Sequence, residues 1–444
     1  MFTSIKNIFN SRETRKKVLF TFIILFILRI FSNIPVIGIN REFLSAWTTS
    51  KSMQAFAFMD VFNGSALSNM SLFAIGIGGY ISASIIIQLC TVFIPALSDL
   101  TKQGQEGVKK IKKITFYTAI GVSFIQSLML AIRLGMSGVL VEYNFFYVLL
   151  VSVMLTVGAL IVYGFSVLID KKGIGNGTSF IIATNIINGL YVTIGTIYTM
   201  FVEGKPIMYQ ILNSAISILI ISLLIIGVIY YNEGEKRISV TYAGSNKYLP
   251  SNKSYLPIKI SMSSVMPAII TMSILQLLSS IGVILNLDAN GIVYKILNVF
   301  NYNMWFRFDG WNFVYNIGVV LFVIMMIVFN IFYSKIVYNP QIIADNLQAS
   351  NGIINGVRQN KIANHIEDKS RYVLILGGLL LSVITLIPIL ISNILNMSIG
   401  LGGTSIIILV SVCIEIYKSV SANAQIEQNQ NISFYKKGSR KYDK

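Results

Sequence analysis

Ten apolar stretches constrain this chain more than any other feature of its sequence, because each is close to the about 20 residues that a membrane-spanning helix needs. Hydrophobic residues make up 54% of the chain and charged residues only 12%, which excludes the ordinary soluble globular class. We therefore predict an all-α polytopic membrane protein with ten transmembrane helices. The predicted spans 1 to 10 cover residues 18–39, 70–94, 114–134, 146–169, 179–202, 211–231, 262–285, 313–333, 372–392 and 397–417.

The lysines and arginines predict the orientation of these spans. An even number of spans puts both termini on one side, and with that side inside, the inner segments hold 28 Lys and Arg residues against 6 outside. The positive-inside rule then makes the N-terminal segment, 1–17, and the basic tail, 418–444, cytosolic. The basic residues behind the net charge of +17 therefore face anionic lipids. We do not interpret this charge as a sign of sequence-specific binding of nucleic acid.

Groups that carry chemistry are scarce within the spans. Asp170, Glu203 and Glu415 all lie near helix ends, and the absence of a central carboxylate argues against an ion-coupled transporter or pump. His365 is the single histidine, and the chain has no Walker A, GxSxG or HExxH sequence. We predict no enzyme activity, no catalytic residue, no metal site and no cofactor.

Two long inner loops, 232–260 and 334–371, are polar and basic. Such loops are often docking surfaces on a rigid scaffold, but solvated connectors attracted to lipid headgroups have the same composition, and both interpretations stay open. Arg29 lies inside span 1. We interpret it as structural, paired with a backbone carbonyl or with a headgroup.

Glycine and proline interrupt two spans at corresponding positions of the two five-span halves. Span 2 contains Gly76, Gly78 and Gly79, and span 7 contains Pro267. The glycines of span 2 are explained either by close helix packing or by a bend. The matching positions of the interruptions in spans 2 and 7 favour inverted repeats over chance. Ile77 and Ile81 share one face of span 2, which is typical of core or lipid contact but also suits a hydrophobic constriction.

Five segments of the chain carry motifs of a known family. They are 62–88 (FNGSALSNMSLFAIGIGGYISASIIIQ), 173–182 (GIGNGTSFII), 255–275 (YLPIKISMSSVMPAIITMSIL), 339–358 (NPQIIADNLQASNGIINGVR) and 402–408 (GGTSIII). Through them the chain resembles the SecY family of protein-conducting channels. The resemblance implies a channel that passes unfolded secretory polypeptides and releases signal sequences and transmembrane segments sideways into lipid. It also implies two inverted five-helix halves, 18–202 and 203–417, that form a clamshell around an hourglass pore.

The resemblance also assigns roles to individual residues. It implies a plug within about 56–69 that includes Phe62, Asn63 and Gly64, and a lateral gate between spans 2 and 7, flanked by spans 3 and 8. The predicted breaks at Gly76, Gly78, Gly79 and Pro267 fall on the two gate helices. The docking positions for a motor or ribosome are Lys236, Arg237 and Arg358. The implied pore ring consists of Ile77, Ile81, Ile182, Ile186, Ile269 and Ile408.

The implied partners are SecE, SecG, the SecA motor ATPase, the ribosome, polypeptides with signal sequences and anionic lipids, at a bacterial cytoplasmic membrane. The chain departs from the family pattern at Gly79, where proline is usual, and at Lys236, where arginine is common. Two alternatives stay open at this point: an accessory SecY paralogue for a few exported substrates and, more remotely, an inverted-repeat transporter of small solutes.

Overall fold

The computed structural model describes residues 12–40, 60, 63–201, 206–242, 255–262, 265–284, 291–306, 310–338, 340–354, 356–394 and 405–421, and most of them are helical. The helices are α1 Arg12–Phe31, α2 Gly78–Phe93, α3 Pro95–Lys102, α4 Gly104–Met136, α5 Phe145–Lys172, α6 Gly177–Phe201, α7 Ile207–Glu233, α8 Met266–Ile284, α9 Ile292–Asn298, α10 Ile317–Val337, α11 Pro340–Ala349, α12 Ile362–Ile394 and α13 405–421. The strands are β1 Glu235–Tyr242, β2 Tyr255–Lys259 and β3 Gly352–Ile354.

Each predicted span overlaps one described helix, so the predominantly helical class is confirmed. Within the described part of the chain, five helical runs are long and apolar enough to cross a membrane, and α2 and α8 contribute shorter apolar runs. The count of ten spans stays a prediction. The five longer runs are Glu106–Met136, Phe145–Lys172, Gln210–Glu233, Phe313–Ala349 and Gln359–Asn393.

Span 2 begins later than its apolar composition predicts. Helix α2 begins at Gly78 rather than at Met70, because Met70 (φ 43°) and Gly76 (φ 52°) lie in the left-handed region that interrupts a right-handed helix. The irregular stretch is instead bonded to the chain after α1: the Val36 amide donates to Met70 O (3.0 Å) and the Leu72 amide to Ile34 O (3.0 Å). Its apolar side chains fill a protein core.

The described residues form two compact units, one with the residues up to Thr193 and from Val412 onward, the other with Ile194 to Ser411. In the first unit α4 packs against both α2 and α5. The core there joins α4 and α5 to the irregular stretch before α2, through Leu67, Met70, Ala74 and Ile75. In the second unit α10 packs against α8 and α12.

The two long inner loops are not simple connectors. Strand β1 of the first loop is the centre of an antiparallel sheet of order β2–β1–β3, with Lys236 opposite Ile258 and Val240 opposite Ile354. Ile238 and Val240 are buried while the side chains between them are exposed, the period-two alternation of a half-buried strand. Residues of α11 and the start of α12 complete this core, so the two loops form one module. They are Ala344, Leu347, Ile362 and Ile366.

Candidate functional site

All six predicted ring isoleucines are buried, with exposed fractions from 0% at Ile186 to 8% at Ile81. In the first unit, Ile77 and Ile81 lie at the start of α2, and Ile182 and Ile186 lie on α6. Each pair has the four-residue spacing that places both side chains on one helical face. In the second unit, Ile269 lies on α8, and Ile408 lies on α13. Their arrangement as one ring stays a prediction.

Gly79 is a site of close helix packing. A Cβ on Gly79 would overlap Ser123 Oγ of α4 and lie 3.2 Å from Ser123 Cα, whereas a Cβ on Gly78 would meet nothing within 4 Å. Nearby, Gln126 Nε2 of α4 donates to Ser82 Oγ of α2 at 3.3 Å. Small residues let membrane helices approach closely, so packing explains Gly79 directly.

The predicted helix breaks both lie at helix starts. Gly76 precedes α2, Gly78 is the first residue of α2, and Pro267 is the second residue of α8. Proline fits there because the first turn of a helix leaves its amides without an intrahelical acceptor. In the described structure these residues lie where α2 and α8 begin and do not interrupt the helices further along. That α2 and α8 are gate helices stays a prediction.

The end of the predicted plug is held by several polar contacts, although Phe62 lies outside the described residues. Asn63 Nδ2 donates to Ala74 O at 2.7 Å. The Gly64 carbonyl accepts from Arg29 Nη1 at 2.9 Å and from Asn188 Nδ2 at 3.0 Å. The predicted pairing of Arg29 with a backbone carbonyl is thus confirmed. Asn188 was missed, and the signal available for it was an asparagine within the apolar span 5.

Asp60 belongs to the same segment. Its carboxylate accepts the Ser68 amide at 2.8 Å, and its carbonyl accepts the Ser65 amide at 2.9 Å. Burial raises the pKa of the Asp60 carboxyl above its ordinary value, and the hydrogen bonds from Ser68 oppose that shift. The side chain therefore ties Asp60 to Ser68.

The predicted docking residues lie on the loop module. Lys236 and Arg237 are exposed on β1, and Arg358 is exposed just before the turn of residues Gln359–Lys361. The guanidinium of Arg237 is fixed on both sides: its Nε donates to Glu235 Oε1 at 2.7 Å, and it lies 4.5 Å from the ring centre of Tyr255. The remaining N–H donors of Arg237 are available to a partner.

The acidic residue at the end of α5 has a structural role. Asp170 Oδ1 accepts the amide of Gly177, the first residue of α6, at 2.7 Å. A carboxylate at a helix N-terminus satisfies a free amide and opposes the helix dipole. Across the described ranges, no group of three or more His, Cys, Asp and Glu residues is placed to hold a metal ion.

Comparisons with known proteins match nearly the whole chain to one family. The model of the SecY family matches residues 71–417. The protein translocase subunit SecY of Bacillus licheniformis is 31% identical over 434 residues, which cover 95% of this chain and 97% of that protein. The corresponding subunit of Aquifex aeolicus is 32% identical, with 94% and 96% covered.

Solved structures share the fold at low sequence identity. One is a protein-conducting channel, with a TM-score of 0.61, 17% identity and 91% of each chain covered. A second is a SecY protein whose plug domain is described as stabilising the closed state, with a TM-score of 0.60, 18% identity and 91% of each chain covered. A third is Sec61 in the canine ribosome–channel complex, with a TM-score of 0.58, 16% identity and 91% of each chain covered. Given the family match and the relatives above 30% identity, the chain belongs to the SecY family.

Proposed function

We propose that this chain is the pore-forming subunit of a protein translocase, a channel and not an enzyme. It passes unfolded polypeptides across a membrane and releases signal sequences and transmembrane segments into lipid. The observation that carries the proposal is the similarity to translocase SecY subunits over 95% of the chain. The six buried isoleucines at the implied ring positions are compatible with it.

The apolar character of these positions suits the proposed cargo. A translocating polypeptide has no fixed size or charge, so a cage of carboxylates or carbonyls would not match it. Flexible apolar side chains close around any chain and resist ion flow by dewetting. A signal helix then leaves sideways because burying apolar surface is favourable by about 25 cal/mol per Å².

The proposed architecture has two inverted five-helix halves, 18–202 and 203–417, with the ten spans around an hourglass pore. The plug lies within 56–69, and α2 and α8 form the lateral gate. Both termini face the cytosol of a bacterial cell, as the distribution of 28 inner and 6 outer basic residues supports. The proposed partners are SecE, SecG, SecA and the ribosome, which bind the loop module or clamp the halves.

Reconstitution tests this proposal. The chain is purified with SecE, inserted into lipid vesicles and given SecA, ATP and a precursor with a signal sequence. We expect the precursor to become protected from protease when ATP is present. We also expect a cysteine in α2 to crosslink to a cysteine in α8 while the signal sequence is retained in the channel. A precursor without its signal sequence is the control. Lack of protection with the intact precursor, in vesicles that contain folded protein, would contradict the proposal.

Arg358→Glu is expected to lower SecA-driven export roughly tenfold, because the reversed charge repels a partner that approaches a basic surface. Arg358 is exposed, so the fold should be unaffected. The measurement is the rate of ATP-driven protection in the vesicles. Lys369→Glu is the matched control, since Lys369 is exposed near the start of α12 in the same loop but has no assigned role in docking. Normal export by Arg358→Glu would exclude this residue from the docking surface.

A further inference from the structure

One backbone carbonyl, that of Gly64, is held by side chains from two helices. Arg29 Nη1 from α1 donates to it at 2.9 Å and Asn188 Nδ2 from α6 at 3.0 Å. A carbonyl oxygen has two lone pairs, so these two donors use its full capacity. Both bonds lie in partly buried surroundings, where hydrogen bonds are stronger than in water.

The conformation of Gly64 makes this arrangement possible. Its φ is +65°, a region that glycine enters without steric cost. A Cβ at this position would lie 2.8 Å from Arg29 Nη1 and 2.9 Å from Asn185 Oδ1. Any side chain at residue 64 would therefore displace Arg29, one of the two donors, and crowd Asn185, as well as strain the backbone.

The chain that follows is held by a different set of contacts. Leu67 and Met70 are 3% and 0% exposed, in the core formed with α4 and α5. Asn63 closes the segment onto Ala74. Gly64 is thus a described point at which the segment is bonded to α1 and α6. The residues that follow it pack against α4 and α5, and Met70 and Leu72 also bond to the chain after α1.

The charge of Arg29 needs a reason, because an arginine within a membrane span is costly and usually functional. Among the described residues, its guanidinium donates to the Gly64 carbonyl, and this contact supplies such a reason.

We propose that Arg29 and Asn188 form a latch on the Gly64 carbonyl that holds the plug segment closed and opens when the channel admits a polypeptide. The inference rests on the proposed function and goes beyond it, since it names the two positioning residues. Breaking the latch should loosen residues 63–65 from α1 and α6, while the core contacts of Leu67 and Met70 remain.

Accessibility of a cysteine next to the latch tests this inference. Ser65→Cys, in a chain with Cys90→Ser and Cys413→Ser, places a half-buried thiol beside Gly64. In reconstituted vesicles, Arg29→Met should speed labelling by a membrane-impermeant maleimide roughly tenfold or more, as expected for losing a hydrogen bond from a charged group. The resting ion conductance should rise in parallel. Asn188→Ala, which removes a neutral donor, should have a smaller effect in the same direction.

Conservative and control variants separate a latch from general damage. Arg29→Lys retains a charged donor and should restore most of the protection. Arg15→Met removes an exposed arginine from the same helix and should leave labelling unchanged. Should Arg29→Met fail to fold, Arg29→Lys and Asn188→Ala still carry the test.

Unchanged labelling and conductance in both Arg29→Met and Asn188→Ala would overturn the latch, as would an equal increase in Arg15→Met. Export by the unmodified chain is measured separately. Its failure would contradict the proposed function, whereas normal export with unchanged labelling in the variants would contradict the latch alone.

Discussion

Replacing Ile81 and Ile408 together with glycine is expected to turn the resting channel into one that leaks ions. Both side chains are buried at the predicted ring positions, with exposed fractions of 8% and 2%. Removing them would widen an apolar constriction and let water enter it, and a wetted constriction conducts ions. We expect frequent openings in planar bilayers without a substrate, where the unmodified channel is silent, and secretion of precursors with defective signal sequences.

The control is the pair Ile86→Gly and Cys413→Gly. Both residues are exposed on the same two helices, and each change introduces a glycine into the same helix as the ring changes do. A leak in the ring variant but not in the control would assign the constriction to Ile81 and Ile408. Silent bilayers and unchanged secretion in both pairs would show that these isoleucines belong to ordinary helix packing.

Gly79→Ala is expected to destabilise the first unit by about 1–3 kcal/mol, the usual cost of overpacking a tight contact. The added methyl group would meet Ser123 of α4. Helix propensity alone predicts the opposite result, since alanine is favoured over glycine by about 1 kcal/mol. The measurement is the apparent melting temperature of the purified protein in detergent, followed by the yield of folded protein.

Gly78→Ala is the matched control. It adds the same methyl group one residue earlier, in the same first turn, where nothing lies within 4 Å. Its melting temperature should equal or exceed that of the unmodified protein, and Ser123→Gly should partly rescue Gly79→Ala. Equal melting temperatures for the two alanine variants would contradict the packing interpretation of Gly79.

The positions of the helices followed from hydrophobic length, since each predicted span overlaps a described helix. The error at residues 70–77 has a clear cause. Hydropathy reports that side chains avoid water, and it does not distinguish lipid from protein interior, so Phe73 and Ala74 were assigned to a helix. The left-handed residues Met70 and Gly76 decide the local conformation, and for Met70 no sequence signal indicated it.

The candidate site was predictable in part. The motifs shared with the SecY family assigned the isoleucines to spans 2, 5, 7 and 10 and the basic residues to the two loops, because such motifs consist of neighbours in sequence. The contacts of Gly64 with Arg29 and Asn188 join three distant parts of the chain, and no short pattern specifies them. The sheet was missed for a similar reason, because β1 and β3 belong to different loops.

The central place of β1 in that sheet has a mechanical consequence. Its backbone is bonded on one edge to β2 of its own loop and on the other to β3 of the second loop. A force on either loop is therefore transmitted through the hydrogen bonds of β1 to the other loop. Neither loop can move away without straining the other. Any partner that bound this module would therefore act on both loops together rather than on either loop alone.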